Sequence, residues 1–319
     1  MFDVTAWVFV VALLIALAID HYLGELAARL HPVVWMGNYL NWAAKRLRPE
    51  ASPDVRDLKS FWLAAGFWCA GAAVVLVVAC TLQWLVFQLP WILAALLLGL
   101  AFKPMLAWAM LRSEVAAVEV ALGQSLDAGR QRLAMLVSRD TANLSETEVR
   151  ESAIESLAEN LNDSVVAPIF WFVLFGLPGA AIYRFANTAD AMWGYRGLRH
   201  GVNWEWAGKW AARADDVLSW LPARITAMLL KLVSGGVDLK TLRLEARKTP
   251  SPNSGWPMAA MALALGVRLQ KPGVYVLNAN GRPPEPKDAV LARKKALKVV
   301  VAACLWAQAA IILIAVLKP

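Results

Sequence analysis

Apolar and polar positions alternate in long blocks along the 319-residue chain, and the blocks predict helices that meet a bilayer. A spanning helix needs about 20 mainly apolar residues. Residues 5–23 meet that length and carry one carboxylate, Asp20, beside His21. Residues 61–87 carry no charge, and residues 90–111 carry only Lys103, next to Pro104. Gln88-Leu89 alone separates these two runs, which predicts a helical hairpin. Residues 299–317, between Lys298 and Lys318, form a fourth span. The first run opens on Asp3 without Lys or Arg, so it reads as a retained helix rather than a cleaved leader.

Two further runs are irregular. Residues 165–185 are long enough to cross, but Gly176-Leu177-Pro178-Gly179 divides them into halves too short to cross alone. Such broken or re-entrant helices are tolerated where they line a cavity. Residues 216–233 contain Pro222, Arg224 and Lys231, which predicts a helix in the interface or buried in the bundle. The expected fold is all-α. It is a polytopic integral membrane helix bundle, one membrane-embedded domain over residues 1–319. Helical loops are expected at 24–59, 112–163 and 236–296.

Composition agrees with that class: 59% of residues are hydrophobic and 18% charged, against about 25% charged in soluble domains. A disordered chain, a collagen-like chain and a small disulfide scaffold are excluded. The three cysteines lie in apolar runs and form no CxxC pair, so neither a disulfide nor a zinc site follows from them. The formal net charge of +8 suits anionic lipid heads or phosphorylated substrates, and no nucleic-acid module is present. Residues 1–23 hold no Lys or Arg, whereas 24–59 hold six (Arg48 among them), 112–163 five and 236–296 eleven. The positive-inside rule then puts the N-terminus outside and all three loops in the cytoplasm. A bacterial cytoplasmic (inner) membrane with the polar chemistry facing the ATP-containing compartment is the expected location.

Polar residues gather in four places. Ser145-Glu146-Thr147-Glu148 has the spacing of a capping box and predicts a helix start. On that helix Glu151, Glu155, Glu159 and Asp163 recur every fourth residue, which places four carboxylates on one face. Like charges at this spacing repel. Solvent and arginines such as Arg150 could offset them, or a divalent cation could. After the broken run come Arg184, Asn187 and Asp190, where Arg184 either pairs with Asp190 or meets a phosphate. The third cluster is Arg247-Lys248-Thr249-Pro250-Ser251-Pro252-Asn253-Ser254-Gly255-Trp256-Pro257, a stiff turn that either precedes a helix or holds an anionic group. It is not a Walker loop. The fourth cluster, Asp20 to Glu25 with His31, closes the first helix, and His31 reads first as a structural residue. A three-histidine metal site would need His21, His31 and His200, and His200 sits in an unrelated basic loop.

Together these clusters resemble the CobD/CbiB family of cobalamin biosynthesis. The resemblance rests on Asp20-x-x-x-Gly24-Glu25 with His31-Pro-Val-Val-Trp-Met-Gly37, on Arg139-Asp-Thr141, and on Glu155-Ser-Leu-Ala-Glu-Asn160 with Asp163 and Val165-Val-Ala-Pro168. It continues through Asn187-Thr-x-Asp190-x-Met-x-Gly-Tyr-Arg196, Ser251-Pro-Asn253-x-Gly-Trp-Pro-Met-Ala-Ala-Met261 and Ala264-Leu-Gly-Val-Arg268. Leu26 stands where the family often has Pro, and Lys248-Thr249-Pro250 where it often has a His. The resemblance implies an ATP- and Mg²⁺-dependent ligase. Such an enzyme joins an aminopropanol phosphate to the propionate carboxyl of adenosylcobyric acid, giving adenosylcobinamide phosphate.

Amide formation needs an activated carboxyl, and ATP can supply an acyl phosphate. The protein must then hold phosphates, a carboxylate and an amine together, which calls for Mg²⁺ and cationic side chains. On that expectation Glu155, Glu159, Asp163 and Asp190 are metal-side ligands, with Glu159, Asp163 and Asp190 also catalytic. Glu159 accepts the amine proton. Arg139, Arg184, Arg196 and Lys248 would meet phosphates, and Asn160, Asn187, Ser251 and Asn253 would orient substrate. The expected partners are the two substrates and the lipid bilayer, with assembly into a homo-oligomer or with other corrinoid-pathway membrane enzymes left open. The competing classes are a corrinoid transporter, a signalling or scaffold membrane protein of the AmpE-like type, and a transferase acting on a phosphorylated lipid head.

Overall fold

A computed structural model describes residues 4–47, 56–199 and 201–317. Arg48, His200 and Lys318, used in the charge and histidine arguments, lie outside the described residues. In chain order the helices are α1 (Val4–Leu23), α2 (Pro32–Ala44), α3 (Leu58–Val86), α4 (Trp91–Phe102), α5 (Trp108–Leu122), α6 (Leu126–Ala134) and α7 (Glu146–Leu161). They continue as α8 (Ala167–Trp193), α9 (Trp204–Ala207), α10 (Lys209–Ser234), α11 (Leu239–Ala246), α12 (Gly255–Leu265) and α13 (Pro286–Leu317). Two small antiparallel hairpins complete the chain, β1 (Leu198–Arg199) with β2 (Val202–Asn203) and β3 (Leu269–Lys271) with β4 (Tyr275–Leu277). Among the described residues six helical stretches are long and apolar enough to cross a membrane: Val4–Leu23, Leu58–Val86, Trp91–Leu122, Glu146–Trp193, Trp204–Ser234 and Pro286–Leu317. The protein is a polytopic helical membrane protein, and both irregular runs belong to these stretches.

The chain, expected to form one domain, divides into two compact units. The first comprises residues 1–106, 167–218 and 307–319, and the second residues 107–166 and 219–306. In the first, Leu40, Phe185, Ala189, Trp193 and Ala207 pack into one buried cluster with Ala64 and Ala72 of α3. Small residues bring helices close there. A Cβ on Gly99 of α4 would stand 2.8 Å from the Ala12 carbonyl oxygen of α1, the close approach that small residues permit between membrane helices.

The breaks follow from backbone hydrogen bonding. The expected span 90–111 is not one helix: α4 stops at Phe102, a turn of 3₁₀ helix covers Lys103–Met105, and α5 starts at Trp108. Pro104 has no N–H to continue the ladder, and Lys103 turns inward to carboxylates described below. The break at Gly176 is present as read. Its φ of 66° is a left-handed conformation inside α8 that favours glycine. The Leu177 N–H, freed there, donates to Oε1 of Gln83 at 2.8 Å. Pro222 inside α10 cannot donate to the Leu218 carbonyl one turn back. The Trp171 indole N–H donates to that carbonyl at 3.1 Å instead. The predicted helix 216–233 therefore lies within the longer α10. The last span starts at Pro286, so the expected loop 236–296 ends inside α13.

In the second unit α7 is a polar helix buried nearly all round, from Val149 to Ala158. It packs among α5, α6, α12 and β3. Val149, Ile154, Leu157 and Leu161 fill one side, with Leu133, Met261 and Leu269 also buried. Carboxylates on a helix so enclosed need defined partners.

Candidate active site

The capping box forms as the spacing predicts. Ser145 Oγ accepts from the Glu148 N–H at 3.4 Å, and Glu148 Oε2 accepts from the Ser145 N–H at 2.8 Å. It sets the phase of α7 and so the carboxylate face. Glu151 is fully buried, and Nε of Arg268 donates to its Oε1 at 3.3 Å. Glu155 is 1% exposed, and Nη2 of Arg139 donates to its Oε2 at 3.0 Å while Nη1 donates to Ser152 Oγ at 3.1 Å. Each arginine satisfies one oxygen. Glu151 Oε2 and Glu155 Oε1 are buried without a close hydrogen bond, and the Tyr275 hydroxyl is a donor that acts on Glu155. Glu159, one turn on, makes no hydrogen bond or ion pair among the described residues. Arg150 does not serve the stripe, as the plainer reading had it. Its guanidinium is held by Glu119, at 2.7 Å from Nη2, and by Glu146 at 3.0 Å.

Asp163 lies in a π-helical turn, Asn162–Val166, that follows α7. Such turns leave the regular ladder and recur at functional sites. Asn162 Nδ2 donates to Asp163 Oδ1 at 2.7 Å, and Asn162 Oδ1 accepts from Thr226 Oγ1 at 3.1 Å. Asn160 bonds its own helix, with Nδ2 donating to the Ser156 carbonyl at 3.0 Å, and it lines a cavity of about 370 Å³ with Glu114, Arg132 and Ser164.

The β3–β4 hairpin adds two residues with no role in the sequence reading. Lys271 and Tyr275 are register partners across it. The charge of Lys271 reaches Glu155 and Glu159. Burial raises the pKa of the Tyr275 hydroxyl, and the negative charges of Glu155 and Glu159 raise it further. The hydroxyl is therefore a proton donor throughout the physiological range. The signal that could have found both is the Pro272-Gly273 pair between two short strand-like runs, the mark of a turn. Arg268 stood in a quoted motif, but only the fold shows that it serves Glu151.

Within the first unit Arg184, Asn187 and Asp190 share the end of α8, where Asn187 Nδ2 donates to Asp215 Oδ1 at 3.4 Å. Arg196 follows that helix and is the cation acting on Asp216. The Asp215–Asp216 pair of α10 thus joins this group, although the sequence reading gave it no role. The same unit holds a charge cluster built on Lys103. Lys103 is 1% exposed, and its Nζ lies 2.8 Å from Glu25 Oε2 and 3.6 Å from Asp20 Oδ1. His31 Nε2 meets the same Glu25 oxygen at 3.0 Å, and its Nδ1 accepts from the Val33 N–H at 3.3 Å as the cap of α2. The structural reading of His31 holds.

The turn before α12 is largely engaged with itself. Lys248 Nζ is 2.7 Å from Glu245 Oε1, so it is tied rather than free for phosphate. Ser251 Oγ accepts from the N–H groups of Asn253 and Ser254 at 3.2 and 3.3 Å. Asn253 is buried, and its Oδ1 accepts from Arg224 Nη1 at 2.8 Å.

Among the described residues no three His, Cys, Asp or Glu side chains gather around one point as metal ligands. The expected set Glu155, Glu159, Asp163 and Asp190 is thus not a preformed cage, and Asp190 belongs to the first unit. The unpaired Glu155 oxygen and the free Glu159 carboxylate do fit Mg²⁺ bound through one or two carboxylates, with other positions left for water and phosphate.

A family model described as CobD/Cbib protein matches residues 13–303. The chain belongs to the CobD/CbiB family. A probable cobalamin biosynthesis protein CobD of Thermococcus kodakarensis is 41% identical over 289 residues, 91% of this chain and 90% of that protein. One from Methanothermobacter thermautotrophicus is 39% identical over 273 residues, 83% and 85% of the two chains. The cobalamin biosynthesis protein CobD of Rhodobacter capsulatus is 37% identical over 302 residues, 91% and 92%. No solved structure matches the chain. Membership of the CobD/CbiB family places this membrane protein in cobalamin biosynthesis.

Proposed function

We propose that the protein is the ATP- and Mg²⁺-dependent ligase that joins an aminopropanol phosphate to the propionate of adenosylcobyric acid, giving adenosylcobinamide phosphate at the cytoplasmic face of the inner membrane. The observation that carries the reading is the α7 face, where Glu151 and Glu155 each keep one buried oxygen without a close hydrogen bond and Glu159 has no partner. A scaffold gives no reason to hold such carboxylates open.

Once the carboxyl is activated by phosphoryl transfer, the amine attacks its carbonyl carbon, the C–N bond forms and phosphate leaves. Bound Mg²⁺ would neutralise phosphate charge, held by Glu155 and Glu159. Glu159 takes the proton lost by the attacking nitrogen. Arg139 holds Glu155 in place, and Lys271 offsets the charge of both carboxylates. Tyr275 donates to an anionic oxygen of the substrate. Asp163 and Asn160 flank the end of α7, and Arg184, Asn187, Asp190 and Arg196 form a polar group of their own within the first unit.

The test mixes the purified full-length protein in detergent with adenosylcobyric acid, aminopropanol phosphate, ATP and Mg²⁺, and follows corrinoid mass. A mass gain of one amide bond, with ADP released and lost on chelation of Mg²⁺, is expected. Absence of the gain with folded protein and varied amines overturns the reading.

A further inference from the structure

The second unit contains a cleft of about 1090 Å³ that the carboxylate chemistry does not use. Arg224 of α10, Lys240, Arg243 and Arg247 at α11, and Ser251 and Trp256 of the following turn line it. Lys240, Arg243 and Arg247 recur at i, i+3 and i+7, so one face of α11 carries all three. Their side chains make no ion pair among the described residues. The one lining acid, Asp238, is committed to α11 itself, because its Oδ2 accepts from the Thr241 N–H at 2.7 Å and from the Thr241 hydroxyl at 2.8 Å. Arg224 is fixed in place by Asn253 Oδ1 at 2.8 Å and the Pro252 carbonyl at 3.1 Å, with its guanidinium 4.4 and 5.0 Å from the Trp220 and Trp256 ring centres.

Four cations around one concavity, with their only acid engaged, repel one another unless an anion enters. We propose that this cleft binds the phosphate groups of a soluble polyphosphate, the class that includes nucleoside triphosphates. Two features favour a soluble anion over a membrane surface. The recess is lined from three chain segments, two of which carry its cations, so the charges surround a concavity rather than a flat face. The Ser251 oxygen accepts from two backbone N–H groups, which orders the rim of the cleft. The inference rests on the ligase reading for the class of anion, and assigns Arg243 and Arg247 a polyphosphate site that does not include the α7 carboxylates.

The test titrates inorganic tripolyphosphate, and separately ATP, into the full-length protein in neutral detergent, beside the double variant Arg243→Glu/Arg247→Glu and the milder Arg247→Gln. Saturable binding that weakens with salt is expected. It falls by about tenfold or more in the double variant and by less in Arg247→Gln. Both arginines are exposed at the surface, and circular dichroism checks that each variant is folded. No binding to the wild type, unchanged binding in the variants, or binding only to phosphatidylglycerol vesicles overturns the proposal. Binding without ligation would leave the cleft standing and remove the ligase. Ligation with an unchanged nucleotide KM in the double variant would do the reverse.

Discussion

Two charge clusters, one in each unit, differ in how their carboxylates are paired with cations. At the end of α1, Lys103 holds Asp20 and Glu25, and His31 holds Glu25 while capping α2. Each carboxylate there meets the Lys103 cation, while Glu25 Oε1 accepts no hydrogen bond. On α7, two arginines each satisfy one oxygen of one glutamate, and Glu159 is left alone. The first cluster makes a break between α4 and α5 tolerable. The second leaves acceptors free where a substrate or cation can use them. Burial of charge alone therefore does not mark a site. A single orphan oxygen does not mark one either, since Glu25 Oε1 is buried without a hydrogen bond; a carboxylate with no ion pair at all, as at Glu159, does.

Removing the cation from each cluster should separate the two roles. Lys103→Ala leaves Asp20 and Glu25 uncompensated and should cost about 3–5 kcal/mol of stability. The check is the denaturation midpoint in detergent, and activity per folded molecule should stay near that of the wild type. Arg139→Met should do the opposite, lowering turnover by about 10²-fold with a smaller loss of stability. Equal effects in both readouts would erase the distinction. Gln83→Leu removes the acceptor from the Leu177 N–H and should cost about 1–3 kcal/mol, read from the same melting curves, because the break at Gly176 depends on that bond. Ser145→Ala removes the α7 cap and should cost about 1 kcal/mol, with amide exchange rising first at residues 146–149.

The helical class, the break at Gly176 and the phase of α7 were legible because each rests on local chemistry: apolar run length, a Gly-Pro pair, a capping box. The carboxylate face followed from the same periodicity. The division of 90–111 was not legible, because Lys103 finds its carboxylates on a segment 78 positions away. The same is true of Arg268, which reaches Glu151 across 117 positions, and of Tyr275, whose importance depends on where a hairpin lands. Lys248 looked available because the sequence shows its charge but not the Glu245 carboxylate that holds it. Asp215 and Asp216 were passed over because nothing local distinguishes them from solvent-facing acids on an amphipathic helix.

The central claim is that the open carboxylate of α7 performs chemistry. The most direct measurement is the corrinoid mass assay on Glu159→Gln, with insertion and melting temperature followed in the same preparation. The change keeps shape and removes the charge. The account predicts turnover reduced by about 10²- to 10⁴-fold in a protein that inserts and melts like the wild type. Undiminished turnover in that variant would contradict it.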